Sequence, residues 1–258
     1  MVGDPPSDAN APVLFSIDPV TKAAIARTVR GGHCPCLQTR TKKGSPSVPN
    51  LHVEPQNEGA TGWIKLTTLV DEAAKAGAKV FEPSAHMPGP DWLQVITLPR
   101  TVAGLNRVRE LRLYGSHLRR LPPEIGRMDA LEVLDVYTSY SLHWLPYEVT
   151  RCARLRDSRM SIRALYGNRK TMLPFPRLHR PVETFAPETC SVCDRGFGER
   201  SPHLWWITLR VGTDTVPLLV HSCSKECTLS LPTPPSGYHP EPHKGGGGVG
   251  MPEPDRWG

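Results

Sequence analysis

Four cysteines in two close pairs carry the clearest chemistry in this chain: Cys190 and Cys193 in "CSVC", and Cys223 and Cys227 in "CSKEC". Two residues or three between thiols put both sulfurs of a pair on one turn, so two such pairs can enclose a cation as a tetrahedral sulfur cage. That ligand set suits Zn²⁺ in a closed structural site, where protein sulfur fills every position and no water is left to activate. His203 and His221 lie between the two pairs and are the alternative ligands. A third cluster, His33, Cys34 and Cys36 in "GGHCPC", offers a possible second metal half-site, a thiol pair, or free thiols.

The rest of the chemistry is sparse. No "GxSxG", "HExxH" or phosphate-binding glycine loop occurs, so a non-enzymatic role is expected. The chain has 258 residues with 28 Pro, 22 Gly and 7 Cys, and its formal charge is +6. Between Arg100 and Arg180 sixteen Lys/Arg face seven Asp/Glu, about +9, which leaves about −3 for the remainder. That basic middle fits either a solvated face or an anionic partner such as nucleic acid. No apolar run is long enough to span a bilayer, and the start "MVGDPPSDANAP" lacks the basic-then-apolar order of a secretory leader. Clustered cysteines without such a leader point to a reducing, cytoplasmic setting.

The elements that must position these residues include a repeat. Leu113, Val136 and Leu165 can be set in one register. Ser116, Ser139 and Asn168 then coincide, as do Leu121, Leu145 and Leu173, each followed by Pro. Cys152 falls in the register of Met128 and reads as core. Each unit is a short strand plus a return segment, which buries its apolar side only by stacking on its neighbours. With "LPPEIGRMDALEVL" as its best stretch, the region from 92 to 180 resembles the leucine-rich-repeat family, in the "LPxxIxxLxxL" form found in bacterial leucine-rich-repeat proteins. The resemblance implies a short α/β solenoid that binds a protein through its concave face. Strand alternation then puts Tyr114, Tyr137 and Tyr166 in an outward row, with Arg112 and Asp135 as lateral neighbours beside it.

The flanks complete the expectation. "SIDPVTKAAIARTVRGG" predicts a helix over 18–30, and "TGWIKLTTLVDEAAKAG" predicts one ending at Gly77, with Trp63, Leu66, Leu69, Val70, Ala73 and Ala74 on one face. Residues 1–91 thus form an N-terminal helical cap. Between the cysteine pairs, "LWWITLRVGTDTVPLLV" reads as a β-hairpin turning at Gly212-Thr213-Asp214. Cysteine turn, hairpin and a cysteine pair at a helix start resemble a treble-clef zinc finger over 181–231. The tail 232–258 lacks the apolar residues to build a core and is expected to be mobile. The leading function is therefore a protein-interaction module. Polyanion binding through the arginines and zinc unit is the alternative, and a ubiquitin-ligase-like effector is the enzymatic one.

Overall fold

The structure is a computed structural model that describes residues 48–160, 166, 174–179 and 186–249. The expected 18–30 helix and the His33/Cys34/Cys36 cluster lie outside those residues.

Helix α1 (Thr61–Ala76) forms where the apolar period runs, burying Leu66 and Val70 and half-burying Trp63, Leu69, Ala73 and Ala74. It stops at Gly77, whose φ of 62° lets the N–H groups of Gly77 and Ala78 return to Ala74 and Ala73. That left-handed cap is cheap only for glycine. A short strand β1 (Val80–Phe81) and a single helical turn α2 (Gly89–Trp92) follow. Gly62 of α1 packs directly on α2, since a Cβ there would stand 2.0 Å from the Asp91 carbonyl.

Strands β2 (Glu110–Arg112), β3 (Val133–Val136) and β5 (Asp157–Met160) then line up in parallel beside β1, in the order β1-β2-β3-β5. Glu110 pairs with Val133, and Val133 with Asp157, so the repeat advances 23 residues and then 24. Leu98-Pro99, Leu121-Pro122 and Leu145-Pro146 each lead into a short 3₁₀ helix, at Arg100–Gly104, Pro123–Arg127 and Tyr147–Arg151. Parallel strands need such crossovers, and proline's fixed φ suits the first helical turn. Inside the turns, the Ser116 and Ser139 hydroxyls bond each other at 2.6 Å, and Ser139 donates to the Leu113 carbonyl at 3.2 Å. Cys152 is core as expected: it is buried, and burial pushes its thiol up to about 12.

The third unit departs from the expected register. Its strand is Asp157–Met160, paired with Val133–Val136; the expected positions Leu165, Asn168 and Leu173 lie outside the described residues. The inward positions of this strand are Ser158 and Met160, so the leucine signal is missing. Ser158 is buried because its neighbour is the turn of a hairpin rather than another apolar unit. Its hydroxyl donates toward the Val211 carbonyl and the Asp214 carboxylate at 2.8 Å each.

That hairpin, β6 (His203–Val211) with β7 (Asp214–Ser222), turns at Gly212-Thr213. It shares the core of the repeats: Ile207, Leu209, Val211, Val216, Leu218 and Val220 pack in one cluster with Leu111 and Leu134. A two-residue strand β4 (Leu145–Pro146) pairs in parallel with β7 at Leu218 and Leu219. The opposite side of the hairpin, with Leu204, Trp206 and Leu219, covers Trp144, Tyr166, Phe175 and Leu178. The expected separate zinc unit is therefore also the lid on the last repeat.

Part of the tail expected to be mobile, His243 to Gly246, packs against the hairpin and Phe175. His243 exchanges backbone hydrogen bonds with Trp206 at 2.8 and 3.1 Å, and Gly246 donates to the Phe175 carbonyl at 2.9 Å. The Lys244 ammonium sits 3.7 Å over the Trp205 ring. The tail contributes backbone to the open edge of β6, a role that its polar composition does not preclude.

The turn's seat on the last strand is testable. A Cβ at Gly212 would lie 2.9 Å from the Asp157 carbonyl carbon and 2.9 Å from Ser158 Oγ, at a φ of 58°. Gly198 has nearly the same φ, 59°, with nothing within 4 Å. Gly198→Ala is expected to cost about 1 kcal/mol, the penalty of a left-handed L-residue alone. Gly212→Ala should cost at least about 2 kcal/mol more in urea denaturation, because overpacking is added. Equal losses would show that the turn does not press on β5.

Candidate metal centre and interaction face

Each cysteine pair is held by its own backbone turn. Around the first, Thr189 and Gly196 form an antiparallel bridge, Cys190 N–H donates to the Arg195 carbonyl at 2.8 Å, and Asp194 N–H returns to the Cys190 carbonyl at 2.9 Å. Asp194 takes a left-handed φ of 58° to close that turn. The second pair leads into helix α3 (Lys225–Leu229), whose N-cap Ser224 accepts the Cys227 N–H at 3.3 Å. The hairpin brings both turns together. Among the described residues, the four sulfur atoms of Cys190, Cys193, Cys223 and Cys227 are the one group with metal-site geometry, all within 4.8 Å of each other. Cys193 to Cys223 is 3.7 Å and Cys223 to Cys227 is 3.6 Å. A sulfur tetrahedron around a cation at ≈2.3 Å has edges of roughly 3.8 Å, close to these two separations, so the four cysteines could hold a metal ion.

The electrostatics favour a cation as well. The Arg195 side chain donates to Cys193 Sγ at 3.4 Å and pulls that thiol down to about 6. Desolvation and the adjacent sulfurs push Cys223 up to about 12. Four thiolates are not tolerated together until a divalent ion joins them. The Cys223 amide donates to Cys190 Sγ at 3.3 Å, a bond suited to a charged sulfur. His203 and His221, the alternative ligands, stay out of the group. His221 lies almost fully buried on β7, and desolvation pulls its imidazole down to about 3.

The outward face of the parallel sheet is partly as expected. Tyr114 and Tyr137 are 38% and 50% exposed and stack with ring centres 6.0 Å apart. Thr138 beside them occupies the left-handed position that Gly115 holds one unit earlier, and its hydroxyl accepts the Gly115 N–H at 3.0 Å. Arg112 and Asp135 are register partners, but Arg112 forms its ion pairs with Glu110 and Glu82, at 2.6 and 3.2 Å. Asp135 instead accepts the Tyr137 N–H and sits 3.9 Å from Arg159.

Tyr166 is not in the row. It is 1% exposed, its hydroxyl is 3.1 Å from His143 Nδ1, and its ring packs on Trp206 and Phe175. The third strand ends six residues before it, so the residue falls behind the hairpin instead of onto the sheet face.

Sequence reasoning missed Arg127, Arg151 and Asp194, which join the repeats to the first cysteine turn. The signal was present: Arg127 and Arg151 occupy one register position in consecutive units, each closing its 3₁₀ helix.

No family model matches this chain, and no curated protein does. Among solved structures, a leucine-rich-repeat protein of Leptospira interrogans is similar at 23% identity, over 33% of this chain, with a TM-score of 0.23. The match spans 23% of that protein's own length.

Proposed function

We propose that this chain is a non-enzymatic protein-interaction module of the leucine-rich-repeat kind, working in the cytoplasm, with a structural zinc ion in a treble-clef-like cap. The observation that carries the reading is the stacked, exposed Tyr114–Tyr137 pair on a parallel sheet built from 23- and 24-residue units. Tyrosine offers large amphipathic contact area and loses little rotamer entropy on binding, and so serves recognition surfaces well. Beside the pair runs a row of alternating charge, Glu82, Arg112, Asp135 and Arg159, which would fix a partner's register more than its affinity. The four cysteines complete a tetrahedron by themselves, which supports a structural rather than a hydrolytic ion.

Polyanion binding has less to support it. Eight arginines between Arg100 and Arg159 lie within ion-pair distance of a carboxylate. Arg120 is 2% exposed and donates to the Glu54 carbonyl at 2.8 Å. Charges already matched release few counterions from nucleic acid. No helix among the described residues is long and apolar enough to cross a membrane.

The test is capture of partners by the wild type and by Tyr137→Ala. Truncating a central aromatic costs on the order of 2 kcal/mol, so retention of a specific protein should drop at least tenfold with folding intact. Unchanged capture would remove the tyrosine pair from the interface. Sequence-selective nucleic-acid binding that persists from about 50 to 200 mM salt would favour the alternative.

A further inference from the structure

Arg151 closes the 3₁₀ helix of the third unit, and its guanidinium enters the first cysteine turn. One nitrogen donates to the carbonyls of both Cys190 and Ser191, at 3.0 and 2.9 Å, and the other to Asp194 Oδ1 at 2.9 Å. Arg127, one unit earlier, donates to Asp194 Oδ2 at 2.8 Å. A single carboxylate thus takes two arginines from consecutive repeats, while Thr189 donates to the same carboxylate at 2.8 Å. These contacts fix the backbone that aims Cys190 and Cys193, yet the arginines belong to the stacked units and ligate nothing.

We propose that Arg151, with Arg127 in support, is a positioning residue for the metal, and that through it metal occupancy and the stability of the repeats form one linked equilibrium. The inference rests on the four-cysteine zinc reading. Geometry carries it: partners outside the ligand shell orient the ligands, and removing one typically weakens metal binding 10- to 100-fold. Arginines that hold the first cysteine turn in its ligating shape favour the loaded state over the empty one. Any such preference is reciprocal, so the ion must stabilise the arginines' own elements by the same factor. The two arginines are not equal. Arg151 is 23% exposed and spans three acceptors, while Arg127 is 55% exposed with a single, solvent-screened bond.

The experiment uses the full chain and zinc(II) titrated against a chromophoric chelator. Arg151→Met is expected to weaken zinc binding at least tenfold, and Arg127→Met about twofold to threefold. Hydrogen exchange supplies the second readout, at the β3 amides of Val133–Val136, which lie in the repeats and touch no ligand. In the wild type, zinc removal should speed their exchange at least fivefold, and in Arg151→Met the acceleration should be at least halved, the remainder passing through the hairpin. Arg151→Lys, which keeps the charge but not the forked donor geometry, should fall between and serves if the Met variant does not fold. Zinc affinity within twofold of wild type in the Arg151 variants, or β3 exchange indifferent to zinc in the wild type, overturns the inference. A wild type that binds no zinc removes the metal reading itself, before any arginine is changed.

Discussion

Cys193→Ser should abolish stoichiometric zinc binding and unfold the C-terminal part of the chain first. The wild type is expected to carry about one zinc per chain after purification under reducing conditions, and the variant less than a tenth of that. The magnitude follows from the site: structural zinc supplies on the order of 10 kcal/mol of apparent binding energy at neutral pH, most of it spent on folding. A serine oxygen in place of Sγ loses the soft thiolate ligand and the charge that Arg195 faces. Metal analysis and thermal melts check this. A metal-free wild type, or a variant melting with the wild type, would sink the assignment. Because the hairpin lids the repeats, the loss should spread inward, lowering the melting of the whole chain as well.

Glu148 gives the second large effect, and it depends on pH. It lies in the third unit under the hairpin, where Gly126 lets the chain approach so closely that a Cβ there would stand 2.5 Å from the Glu148 carbonyl. Burial pushes its carboxyl up to about 7, with the Ser191 hydroxyl and Arg151 pulling weakly the other way. The folded state therefore holds this proton more tightly than the unfolded state. Below about 4.5 both states are protonated and nothing is lost. From there to about 7 stability falls as pH rises, and above 7 the full cost remains, roughly 3 kcal/mol at about 1.4 kcal/mol per unit. Glu148→Gln should accordingly stabilise the protein by about 2 kcal/mol or more at pH 8 and much less at pH 5.5. Denaturation of both proteins at the two pH values checks it, since any metal release at low pH would be common to both. An equal difference at both values would mean that the carboxyl does not titrate in this window.

What could be read from the sequence divides along physical lines. The cysteine pairs were legible because ligand geometry is set by short spacings within a turn, and α1 because its apolar period and Gly77 stop are local signals. Two repeat units were legible through their leucines. The third strand was not, because Ser158 faces inward to satisfy a hairpin turn more than fifty residues away. Tyr166 was misplaced with it. The tail's docking was hidden for a similar reason: backbone bonds to a sheet edge leave no mark on composition. The arginine clamp was visible as a recurrence but not as a contact, since its target lies outside the repeats.

The pairing of Leu145 with Leu218 sets an order of events during synthesis. The repeats leave the ribosome with their last apolar surface uncovered, and the strand that closes it follows about seventy residues later. At about 5–20 residues per second, that gap lasts several seconds. During it Leu134, Val136 and Met160 end in a sticky, half-built stack, and the edge strand offers unpaired backbone to any neighbouring nascent chain. Fragments cut before the hairpin should therefore aggregate instead of behaving as a smaller version of the protein, and the cysteine-rich segment acts as the late-arriving closure of a fold begun far upstream.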